Sequence, residues 1–124
     1  MRARVARKLN GNAEAHLHYV RSSGSSLVEE GQVAGGISGQ MHAVLHVGAT
    51  FSGSFTFHTR AGEIKGHGTA HPHGSGRYES FSGSEVVTGG SGRYTHAHGT
   101  GSMYGTFDRK TYDVTIQTRG TLYY

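Results

Sequence analysis

Apolar and polar residues alternate with a period of two along most of this chain, and that rhythm restricts it to half-buried β-strands. The clearest case is residues 40–47, where Met41, Ala43, Leu45 and Val47 oppose His42, Val44 and His46. In residues 50–59, Phe51, Phe55 and Phe57 oppose Ser52, Ser54, Thr56 and His58. In residues 112–124, Tyr112, Val114, Ile116 and Thr118 oppose Asp113, Thr115, Gln117 and Arg119. In residues 13–21, Ala15, Leu17 and Tyr19 oppose Glu14, His16 and His18. Further strand-like segments cover 2–9, 27–34, 64–70, 77–87 and 93–101. No segment keeps helical spacing over a useful length, and the density of glycine and β-branched residues disfavours helix.

Glycine and serine punctuate these segments. Turns are expected at 22–25, at Gly35 and Gly36, and at 60–63. The expected fold is all-β: a small antiparallel up-and-down β-barrel of about eight strands, forming a single domain over residues 1–124. A barrel is preferred to a sandwich because closure removes sheet edges, and this chain has few residues that guard an edge. Pro72 is its single proline. A hydrophobic content of 34% with 21 glycines would by itself lean towards low complexity. The alternation and the lack of like-charge blocks argue instead for a packed domain. A chain of 124 residues buries about two-thirds of its unfolded surface and can stand without disulfides. It has no cysteine to form them, which together with the absence of an apolar leader makes a cytoplasmic location the expectation. No apolar run is long enough for a membrane helix, so no membrane partner is expected.

The segment Val86–Val87–Thr88–Gly89–Gly90–Ser91–Gly92–Arg93–Tyr94–Thr95–His96–Ala97–His98–Gly99 resembles a signature of the dirigent and allene-oxide-cyclase-like barrels. Those families carry a glycine-rich turn, then an aromatic residue, then Ala-x-Gly on the next strand. Here the aromatic is Tyr94, and Ala97, His98 and Gly99 supply the second element. The resemblance implies an eight-stranded barrel, often a homo-oligomer, with an apolar cavity. Its members include cyclases and proteins that guide radical coupling. Where dirigent-type chains often place Arg between the Ala and the Gly, this chain has His98, so no polar role is carried over.

Ten histidines invite a metal hypothesis, with His-x-His pairs at 16/18, 71/73 and 96/98. On the clearest strands, however, they oppose the apolar stripe. They are expected to face solvent or a neighbouring subunit, with no metal site and no cofactor. Glu29 and Glu30 point to opposite faces of one strand; either could be a lone buried acid in the cavity, but a solvated charge is the expectation for both. No nucleophile elbow or phosphate loop is present. The net charge of +4 permits weak contact with anions. The aromatics sit on apolar rather than basic faces, so a nucleic-acid partner is not expected.

Two functional readings remain open at this level. In the first, the barrel binds an apolar small molecule, and any catalysis is that of a cofactor-free cyclase or isomerase acting mainly by shape. Leu45, Phe55, Phe57, Tyr94 and Tyr112 would line its cavity, and no catalytic residue can be named. In the second, the protein is a non-enzymatic structural or interaction protein, with a packed barrel and a His-rich outer surface. Cavity volume separates them.

Overall fold

The computed structural model describes residues 8–74 and 76–124. Eight antiparallel strands close into an up-and-down barrel in which each strand pairs with its sequence neighbours and β1 also pairs with β8. The strands are β1 (Lys8–Ser23), β2 (Ser26–Gly35), β3 (Gly39–His46), β4 (Phe51–Thr59), β5 (Gly62–His73), β6 (Tyr78–Gly90), β7 (His98–Asp108) and β8 (Val114–Tyr123). A short 3-10 turn, Gly92–Tyr94, lies between β6 and β7. Closure leaves no sheet edge among the described residues, as a chain poor in edge-guarding residues requires.

Followed around the barrel through its paired residues, the row that leaves β1 at Gly11 returns to it at Ser22. That offset tilts the strands strongly and widens the interior. Two register shifts contribute to it, one between Tyr19 and Arg21 in β1 and one opposite Lys65 and Gly66 in β6. The tight turns follow from local chemistry. Gly24 adopts a φ of 61° in the two-residue link between β1 and β2. The Thr59 hydroxyl accepts from the Ala61 amide and donates to the Gly62 carbonyl, which fixes the link between β4 and β5.

The alternation seen in the sequence becomes an inside and an outside. Ala15, Leu17, Ala43, Phe57, Ile64, Ala70, Phe81, Phe107 and Val114 form the heart of the interior cluster. Burying a phenylalanine such as Phe57, Phe81 or Phe107 contributes about 2–3 kcal/mol each. Nine of the ten histidines are exposed and His42 is partly exposed, so they do face outward. His42 bonds to Glu30 at 3.1 Å, His58 lies 3.2 Å from Glu63, and His73 bonds to Ser82 at 2.6 Å.

Three expectations need correction. Residues 93–97 form the 3-10 turn and its exit rather than a strand, and β7 continues to Asp108. Tyr112 lies in the β7–β8 link with a φ of 66°, not on a strand. The chain turns there because Asp108 accepts from the Lys110 and Thr111 amides and pairs with Arg77 through two bonds, at 3.1 and 3.2 Å. Finally, Glu29 is fully buried, not solvated, while Glu30 is exposed. The expected strand over 2–9 falls mostly outside the described residues.

No helix among the described residues is long and apolar enough to cross a membrane. The outward faces of the strands carry mainly His, Ser, Thr and Glu, the reverse of the apolar band on a lipid-facing barrel.

Candidate functional site: an apolar cavity inside the barrel

The barrel interior holds a cavity of about 220 Å3. Its wall is built by the inward positions of the strands. β3 supplies Met41, Ala43 and Leu45, β4 supplies Phe55 and Phe57, and β8 supplies Ile116 and Leu122. An aromatic layer bounds it towards the pole that carries the β1–β2, β3–β4, β5–β6 and β7–β8 links. There Phe51 meets Phe81 and Phe107 edge-on, with ring centroids 5.8 and 5.7 Å apart. Tyr112 stacks on Phe107 from the β7–β8 link and leans against Tyr19. The Arg109 guanidinium sits 6.0 Å from the Phe51 and Phe107 rings, and donates to Glu79 at 2.9 Å.

Of the five residues expected to line a cavity, Leu45, Phe55 and Phe57 do so. Tyr94 and Tyr112 are not in its wall. Tyr94 is buried in the 3-10 turn and packs against Tyr124, 5.1 Å between centroids, at the opposite pole. Tyr112 belongs to the aromatic layer's outer side. Both tyrosines therefore close the ends of the barrel instead of lining its middle.

The sequence reading did not single out Glu85. It faces inward from β6, on the same side as Phe81 and Val87, and its carboxyl reaches the cavity. Among the inward-facing lining residues only Glu85 and Thr118 are polar. Glu85 makes no hydrogen bond or ion pair among the described residues, and burial pushes its carboxyl up to about 7. The strict alternation of Glu79, Phe81, Gly83, Glu85 and Val87 was the available signal.

Glu85 sits in a belt of glycines. Paired neighbours run Gly11, Gly120, Gly101, Glu85, Gly68 and Gly53 from β1 through β8, β7, β6 and β5 to β4. At this level of the barrel no other side chain projects from these strands. A Cβ at Gly101 would lie 2.9 Å from Glu85 Oε1, and one at Gly68 would lie 2.8 Å from Met103 Cε. The missing side chains leave the room that the carboxyl and the cavity occupy.

Glu29, a fully buried acid, lies outside the cavity wall. Neither of its oxygens has a partner among the described residues. Burial first, and the nearby Asp113 carboxylate second, push it up to about 8. No group of three or more His, Cys, Asp or Glu side chains able to hold a metal ion occurs among the described residues.

No family model, curated protein or solved structure matches this chain. The segment that resembles the dirigent-type signature uses its small residues sterically. Gly92 adopts a φ of 59°, Ala97 is buried, and a Cβ at Gly99 would lie 2.1 Å from the Thr121 carbonyl oxygen.

Proposed function

We propose that this barrel binds a compact, largely apolar small molecule in its interior. The observation that carries the reading is the cavity of about 220 Å3, walled by aliphatic and aromatic side chains. A barrel built only for its outer surface gains nothing from such a space, because an unfilled core forfeits packing energy. An apolar cavity of about 150 Å3 accepts benzene, so this one suits a ligand of roughly ten non-hydrogen atoms. The proposed chemistry, where there is any, is that of a cofactor-free cyclase or isomerase. Confinement would hold a flexible substrate in the reactive fold.

The test is thermal melting with indane, a rigid bicyclic hydrocarbon of suitable size. A ligand that binds only the folded state raises the melting temperature as its concentration exceeds Kd. Wild-type protein should be stabilised by indane, and Ile116→Phe, which fills the cavity from β8, should not. Equal melting curves with and without indane for the wild type would refute the reading.

A further inference from the structure

We infer that the ligand is not a pure hydrocarbon but a neutral molecule with one hydrogen-bond-accepting oxygen, a carbonyl in the simplest case, which receives a hydrogen bond from the Glu85 carboxyl. This deepens the proposed binding function and rests on it.

An eight-stranded barrel either fills its middle with side chains or holds one small ligand there. Here five of the six residues on the Glu85 row, from Gly11 to Gly53, have none. The one residue on that row with a side chain is an acid. A lone carboxyl in an apolar space costs free energy unless it is paired, and no protein group pairs with it among the described residues. Glu79 shows the alternative within the same strand: it is equally inward and is matched by Arg109 at 2.9 Å. Glu85 has no such cation, and its neighbours Gly101 and Gly68 hold the adjacent space open instead. Glu85 is partly buried, and in this reading the missing partner is supplied by whatever fills the cavity.

The form of the carboxyl selects the chemistry of that partner. Burial raises Glu85 to about 7, so near and below neutrality a large share is protonated. A protonated carboxyl is a hydrogen-bond donor. It suits a carbonyl oxygen, which takes the bond without bringing a charge into the cavity. An amine would demand two buried charges, and a carboxylate ligand would set two acids against each other.

Three probes of one shape separate the cases: indane, 1-indanone and 2-aminoindane, each titrated calorimetrically into the full chain. At about pH 5.5, below the raised Glu85 value, the wild type should prefer 1-indanone to indane by roughly threefold to tenfold, the worth of one neutral hydrogen bond. The preference should shrink at about pH 8.5, where Glu85 loses its proton. Glu85→Gln, which keeps a neutral donor, should retain a preference that no longer depends on pH. Glu85→Leu should lose the preference while still binding indane. If indane and 1-indanone bind equally to wild type and Glu85→Leu, the inference is wrong and the cavity reading stands. Tightest binding of 2-aminoindane overturns the inference in favour of an ionised Glu85. If no probe binds, the cavity reading itself fails, and the inference with it.

Discussion

Glu79 and Glu29 are both buried acids facing the barrel interior, yet Glu79 meets the Arg109 guanidinium at 2.9 Å and Glu29 meets nothing at either oxygen among the described residues. The two carboxyls are 1% and 0% exposed. The two residues solve the same burial problem in opposite ways.

Stability should fall as pH rises through the neutral range. Glu29 and Glu85 are raised in the folded state from 4.5 to about 8 and about 7. The folded chain therefore holds protons that the unfolded chain has already released. Stability is fully present below about 4.5 and declines as pH climbs through the two raised values. The combined loss by about pH 9 is on the order of several kcal/mol. Urea denaturation at a series of pH values measures it. A curve that is flat, or that rises with pH, would contradict the desolvation of both acids.

Glu29→Leu should stabilise the protein. It removes an unpartnered buried acid and keeps apolar volume. The gain should be on the order of 2 kcal/mol at about pH 8, and small at about pH 5, where Glu29 is neutral. Guanidinium melts of wild type and variant at the two pH values check both the sign and the pH dependence.

Arg109→Ala should destabilise by roughly 2–3 kcal/mol, because it strands Glu79 without its cation. Arg109 itself is 40% exposed, which keeps the cost at the lower end. The double variant with Glu79→Leu should recover most of the loss. A double-mutant cycle by urea unfolding that shows no coupling would mean the pair contributes little.

Two glycine substitutions should behave in opposite ways. A Cβ at Gly31 would lie 1.8 Å from the His16 carbonyl oxygen, a backbone atom that cannot yield without moving β1. Gly31→Ala should cost at least ~3 kcal/mol or prevent folding. At Gly89 nothing lies within 4 Å. Gly89→Ala should be neutral, or stabilising by about 0.5 kcal/mol through the unfolded chain. Comparing melting temperatures of the two variants with wild type reads this directly.

Chelation should leave the melting temperature unchanged. The outward histidines are dispersed and are engaged with Glu30, Glu63 and Ser82, among others. A structural metal would transfer its binding energy to folding. A melting point that drops with chelator, together with one retained equivalent of metal, would overturn this.

The sequence by itself determined the strands and their faces. Period-two alternation is local, and Met41, Ala43 and Leu45 could face only the side opposite His42 and His46. It also favoured closure over a sandwich, because strands without edge protection favour a barrel, and the closed barrel is what forms. What lies at the ends of strands was not legible. Tyr112 follows the alternation in the sequence and Tyr94 sits in the dirigent-like segment, but hydrogen bonds of the turns place Tyr94 in a 3-10 turn and Tyr112 in the link after Asp108. The fate of the acids was decided only by tertiary structure. Glu29, Glu79 and Glu85 look alike in the chain. Whether each meets Arg109, a belt of glycines or no partner depends on registers that bring residues of distant strands side by side. The glycine belt itself joins Gly11 to Gly120 and Gly101 across most of the chain length. Inter-strand register is a property of the closed sheet, and no single strand contains the information that five empty positions and one carboxyl share a level.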